Sequence, residues 1–230
     1  MSSIVKKISV VSILTIMSRL LGLVRDVLFF TCFGVSAVGS AFILAFTIPN
    51  LFRRMLGEGT LSSAFIPVYS ETEKTYSLVE AHTILNQVLT RLLIFLIFLS
   101  LAICIFSGLA SEYQMNLELK WANGLLLNSI IFPYVLFICV SAIMVGALQV
   151  HGKFFAGAFS PIILNLFMIS CLLIFYFHLG WRDFELAVAL CVAVLVGGVF
   201  QMAWPWIQLR IGHSWKWKFD FSSSVGTEKI

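Results

Sequence analysis

Charge is what this sequence has least of. Asp, Glu, Lys and Arg make up 11% of its 230 residues, against about a quarter in a soluble domain. With 60% hydrophobic residues and a mean hydropathy of +1.00, neither a soluble globular domain nor a disordered chain fits. Also missing is the polar and apolar alternation over segments of about ten residues that a transmembrane β-barrel needs. The three aspartates, Asp26, Asp183 and Asp220, are isolated. Enzymes that hold magnesium for phosphate chemistry need such carboxylates clustered. Cys32, Cys104, Cys139, Cys171 and Cys191 occur singly within apolar runs, so they read as small packing residues. His82, His151, His178 and His213 fall near the ends of apolar runs rather than together, and none pairs with a carboxylate at zinc-ligand spacing. The sequence therefore gives no reason to expect a metal, a cofactor, a catalytic residue or a nucleic-acid partner. The 22 phenylalanines are most simply lipid-facing and packing surface.

What remains is an all-α membrane protein. A helix needs roughly 20 apolar residues to cross about 30 Å of hydrocarbon, and six runs qualify: about 5–31, 38–69, 82–110, 122–149, 157–178 and 184–209. Polar punctuation separates them at 33–36, 70–75, 111–120, 151–153 and 180–183. The second run is too long for one straight span and contains Pro49, Gly57, Gly59 and Pro67, so a bent or broken helix is expected there. An N-terminus on the cytoplasmic side places Lys6, Lys7, Lys74, Lys153, Arg210, Lys216, Lys218 and Lys229 inside, against Lys120 and Arg182 outside. Trp204, Trp206, Trp215 and Trp217 gather at the end of the sixth run, so residues 210–221 are expected along the cytoplasmic headgroup layer. The first run lacks a small-residue cleavage site and carries Arg25 and Asp26 near its far end, and it is kept as a span rather than a signal peptide. The chain then divides into a six-helix lobe, 1–209, and an interfacial and linker segment, 210–230.

The charges inside the first two spans need an explanation. Arg19, Arg25 and Asp26 lie in the first, and Arg53, Arg54 and Glu58 in the second. An arginine at mid-membrane costs roughly 2.5 to 3.5 kcal/mol on insertion scales, so each must face protein or water. Arg19 and Asp26 share a helix face, and Arg54 and Glu58 stand at i, i+4, where they can pair. One reading is internal ion pairing with snorkelling toward both interfaces. The other is a water-filled cavity whose guanidinium groups await an anion. Arginine suits a phosphate because its planar fork donates two hydrogen bonds at once and stays charged.

The run Ser18-Arg19-Leu20-Leu21-Gly22-Leu23-Val24-Arg25-Asp26 resembles the opening signature of the MurJ (MviN-type) family of the MOP exporter superfamily, flippases of the peptidoglycan precursor lipid II. Ile48-Pro49-Asn50-Leu51-Phe52-Arg53-Arg54, Gly57-Glu58-Gly59 and Ala64-Phe65-Ile66-Pro67 resemble the family's second helix. Phe132-Pro133-Tyr134 with Gly146-Ala147-Leu148, Ser160-Pro161 with Leu164-Asn165, and Gly197-Gly198 with Gln201 resemble its fourth, fifth and sixth. The resemblance implies that Arg19, Arg25, Asp26 and Arg53 line a central cavity holding the lipid diphosphate, with Arg54, Glu58, Pro49, Gly57 and Gly59 as supporting charge or hinge. Many relatives carry an acid where this chain has Ser40 and a base where it has Thr47, so coupling through those charges is not expected here.

Family members have about fourteen helices in two six-helix lobes plus two more that flank a lipid-tail groove. This chain has the makings of one lobe, six transmembrane helices with the second bent, and it reads as a truncated or split N-terminal part. The resemblance further implies a multi-pass protein of the bacterial cytoplasmic (inner) membrane. Its expected partners are lipid II, membrane lipids, and the missing second lobe or a second copy. The expected activity is transport of the diphosphate-sugar-peptide headgroup from the cytoplasmic to the outer leaflet by alternating access, without covalent chemistry. The alternative is a structural or regulatory membrane module that transports nothing.

Overall fold

The computed structural model describes residues 3–57, 59–113 and 119–222. Among them every regular element is helical: α1 Ser3–Phe33, α2 Ala37–Phe52, α3 Thr60–Thr75, α4 Leu78–Tyr113, α5 Leu119–Ile131, α6 Tyr134–Val150, α7 Phe155–Cys171 and α8 Asp183–His213. Two π-helical stretches, Arg53–Gly57 after α2 and Leu172–His178 after α7, extend their helices with a wider turn. Four stretches of described helix are long and apolar enough to cross a membrane: Ile8–Phe33, Leu78–Ser111, Phe155–His178 and Asp183–His213. They become five if α5 and α6, which meet at 48°, make one broken span.

That break falls in the fourth apolar run, which the sequence reading took as continuous. Pro133 lacks the N–H that would carry the helix on, and its ring pushes Phe132 away from helical geometry. The charged residues 70–75, read as punctuation, instead lie within α3. Glu71, Glu73 and Lys74 are good helix formers, and charge ends a membrane span without ending a helix. In the second run Pro49 and Pro67 both sit inside α-helix, and the regular path is interrupted between them by the π-helical turn. Gly59 is required at the restart of α3. A Cβ there would lie 2.5 Å from the Met55 carbonyl oxygen and 2.9 Å from that of Arg54, contacts with backbone that no rotamer relieves.

The helix α6 forms the centre of the bundle, packed against α4, α3 and α8, and most of its residues are buried. Gly198 of α8 permits its closest approach: a Cβ would fall 2.7 Å from the ring of Tyr134. The hydroxyl of Tyr134 then donates to Gln201 Oε1 at 2.9 Å. The helix α1 packs on α7 and leaves an outward row of Ile13, Leu20, Leu23, Val27 and Phe30 exposed. Cys139, Cys171 and Cys191 are buried and all five cysteines are free thiols.

After α8 the chain turns at Ser214 and crosses back over α4. Trp215, read from the sequence as one of the headgroup-layer tryptophans, is 1% exposed inside the protein. Its indole N–H donates to Asn86 Oδ1 at 3.0 Å, which is why the ring can be buried without an orphaned donor. Asn86 Nδ2 donates to the Lys216 carbonyl, the Asp220 backbone N–H to Thr90 Oγ1, and Gln87 Nε2 to Ser222 Oγ. Hydrogen bonds from the Ser222 hydroxyl and backbone N–H hold the Asp220 carboxyl below the usual carboxylate range.

Candidate functional site

Arg25 faces α7 from the C-terminal half of α1. Its Nη1 donates to Asn165 Oδ1 at 3.0 Å, while Nε and Nη2 donate to Asp26 Oδ1 at 3.0 and 2.7 Å. Asn165 is buried and its own amide donates to the Ser18 carbonyl at 3.2 Å, so the amide clamps α1 to α7 and aims the guanidinium. Asp26 therefore pairs with its sequence neighbour; Arg19, which shares its helix face, is exposed.

Arg53 and Arg54 open the π-helical turn. The backbone N–H of Arg53 is shared between the carbonyls of Pro49 and Asn50, and both arginines border the same cavity. This cavity has a volume of about 420 Å³ and is lined by Gly22 and Arg25 of α1, Thr47 and Asn50 of α2, Arg53, Arg54, Tyr134 of α6, Asn165 of α7 and Gln201 of α8. Among the described residues, three guanidinium groups thus border one space, and the carboxylate of Asp26, itself half exposed, is bonded to Arg25. Thr47 stands on the lining, and its hydroxyl donates back to the Ile43 carbonyl at 2.7 Å.

Gln201 braces the inner wall. It accepts from Tyr134, its amide donates to the Ser160 carbonyl at 2.8 Å and Oγ at 3.1 Å, and its carbonyl accepts from Ser141 Oγ at 2.9 Å. Three helices are tied at one buried residue, and the side-chain oxygen and nitrogen of Gln201 are both satisfied. A second cavity of about 430 Å³ adjoins the first through Arg53 and Pro161 and is lined by the hydroxyls of Ser62, Ser63, Ser141 and Ser160 and by Gln149. The arrangement can bind an anion and hydrogen-bonding groups attached to it. Among the described residues no group of three His, Cys, Asp or Glu side chains converges as metal ligands would.

Of the residues read from the sequence, Arg25, Arg53 and Arg54 come together on the cavity, with Asp26 at its rim through Arg25. Arg19 lies one helical turn from the cavity residue Gly22 and is not on the lining. Pro49 is buried within α2, Gly57 closes the π-helical turn, and Gly59 restarts the helix. Glu58, and with it the expected pairing with Arg54, lies outside the described residues. Sequence reasoning gave Asn165 and Gln201 no role, although a lone amide within an apolar run is the signal that marks both. It also placed the histidines apart, whereas the rings of His151 and His213 stack at 3.9 Å. The turns after α6 and at the end of α8 bring together residues 62 positions apart in the chain.

A family profile described as Lipid II flippase MurJ matches residues 29–228. The chain is 32% identical over 210 residues to a probable lipid II flippase MurJ of Rickettsia prowazekii, covering 87% of this chain and 39% of the relative. It is 34% identical over 203 residues to the lipid II flippase MurJ of Burkholderia cenocepacia, covering 83% and 37%. A solved structure titled lipid II flippase MurJ, inward closed conformation, superposes with a TM-score of 0.72 at 28% identity, covering 92% of this chain and 43% of that one. The chain thus spans about two fifths of the length of the relatives it matches. With nearly the whole sequence under one family profile and the fold matching a solved member, this all-helical membrane protein belongs to the lipid II flippase MurJ family.

Proposed function

We propose that this chain is the N-terminal part of a lipid II flippase and that its arginine-lined cavity receives the lipid diphosphate. The observation that carries the reading is the convergence of Arg25, Arg53 and Arg54 on one space, with Arg25 already aimed by Asn165 and Asp26. Diphosphate oxygens accept bidentate hydrogen bonds from guanidinium groups, and that attraction offsets the hydration the anion gives up on entry. Arg19, one turn from Gly22 toward the N-terminus of α1, is the first cation the headgroup meets on its way in. The hydroxyl-lined second cavity suits the sugar next to the diphosphate.

In this reading six spans form the lobe, α2 and α3 making one bent span and α5 and α6 another, with the N-terminus cytoplasmic. Residues 1–209 are the transmembrane lobe and 210–230 the interfacial segment that leads onward. Its partner is a second helical bundle, supplied by further chain or by another copy, and the two rock about the cavity to turn it from the cytoplasmic to the outer leaflet. No bond is made or broken, so no catalytic residue is assigned.

The test is ligand selectivity. The chain in nanodiscs is expected to retain polyprenyl diphosphate-linked saccharide in native mass spectrometry, and to retain the same saccharide on an uncharged polyprenyl linker at least about tenfold less. Equal retention of the two would favour the structural or regulatory module instead.

A further inference from the structure

At the end of the bundle where α3, α6 and α8 finish and α4 begins, five titratable side chains and one lysine meet. His151, in the turn after α6, presents both ring nitrogens to α3: Nδ1 stands 3.5 Å from Glu73 Oε1 and Nε2 stands 3.4 Å from the Tyr69 hydroxyl. Its face stacks on His213 of α8 at 3.9 Å, with the rings 22° from parallel. Beyond these, His82 of α4 lies within electrostatic reach of both imidazoles, and Lys153 within reach of His213. Nε2 of His213 and Nε2 of His82 are buried without a hydrogen-bond partner among the described residues. A set built only for packing would not aim one imidazole at a carboxylate and a phenol from the same helix.

We propose that Glu73, His151, Tyr69 and His213 form a proton-binding latch, in which one proton taken up on His151 draws the end of α3 against the turn after α6 and against α8. In the neutral state Nδ1–H of His151 points to Glu73 and the Tyr69 hydroxyl donates to Nε2. The added proton goes to Nε2, and the Tyr69 hydroxyl rotates so that its oxygen accepts. The ring then carries a full charge opposite the Glu73 carboxylate, and the long Nδ1 contact shortens. Two imidazolium rings stacked at this distance repel, and Lys153 adds to the repulsion on His213, so the pair holds a single proton and His151 holds it. Imidazole is the side chain that ordinarily changes charge between about pH 5 and 8, and this range sets the two pH values of the test. The latch does not depend on what the arginine cavity binds.

Hydrogen–deuterium exchange of residues 69–76 in the full chain in nanodiscs tests it, with intrinsic rates corrected for pH. The wild type is expected to be about threefold better protected at about pH 5.5 than at about pH 7.5, the gain of one strengthened ion pair. Glu73→Gln, which keeps the size of a partly exposed side chain and removes its charge, is expected to lose that difference, and so is His151→Gln. His213→Gln is expected to keep it. No pH difference in the wild type, an undiminished difference in Glu73→Gln, or loss in His213→Gln with retention in His151→Gln overturns the latch.

Discussion

Changing Arg25 and Arg53 together to alanine is expected to weaken binding of the polyprenyl diphosphate-linked saccharide by about a hundredfold or more while leaving the helices folded. Each hydrogen bond to a charged group contributes about 1.5 to 3 kcal/mol, and tenfold in affinity is about 1.4 kcal/mol. The fold is expected to survive because both guanidinium groups border the cavity, where water can take their place. Asp26 is 54% exposed, so water replaces Arg25 there, and the buried Asn165 loses one hydrogen bond while keeping the one to the Ser18 carbonyl. Affinity is read by native mass spectrometry and folding by circular dichroism on the same nanodisc sample. A structural module would give the opposite pattern, with binding unchanged and assembly altered.

Trp215→Ala is expected to carry the largest stability cost outside the membrane spans. Trp215 is among the largest side chains fully buried in the protein, and truncating a buried aromatic costs about 3 to 5 kcal/mol through lost transfer energy and the cavity left behind. Asn86 also loses the indole donor to its Oδ1 while its amide still reaches the Lys216 carbonyl. The segment from Lys216 to Ser222 should then come away from α4. Trypsin cleavage after Lys216 and Lys218 is expected to accelerate together with a lower unfolding midpoint in detergent. Cleavage at the wild-type rate would mean that the hydrogen bonds of Gln87 and Thr90 hold the segment without the tryptophan.

Where the helices lie was readable because a membrane rewards long apolar runs, and the described helices overlap every run taken from the sequence. How they are broken was less readable. Pro49 and Pro67 continue in helix while Pro133 interrupts one, and proline removes a backbone donor in all three places, so the residue type alone does not say which helix breaks. The site was legible through its cost: arginines inside apolar runs must face a cavity or a partner, and Arg25, Arg53 and Arg54 face the same one. Which carboxylate answers which arginine was not, since helical spacing ranks residues by face and says nothing of a side chain folding back on its neighbour, as Arg25 does on Asp26. The meeting of His151 with His213 and of Trp215 with Asn86 depends on turns between helices, and no periodicity within a helix reports on those.

The central claim is that a diphosphate sits among these guanidinium groups, and dipolar recoupling between phosphorus and arginine carbon tests it without relying on affinity. The chain, labelled with 13C at arginine Cζ and reconstituted with the polyprenyl diphosphate-linked saccharide, is measured by 13C–31P solid-state NMR, with Arg25→Lys and Arg53→Lys used to assign the signals. Strong dephasing is expected from both residues, at the separation of about 4 Å that a direct N–H to phosphate hydrogen bond imposes. Bound lipid with no dephasing at either Arg25 or Arg53 would contradict it.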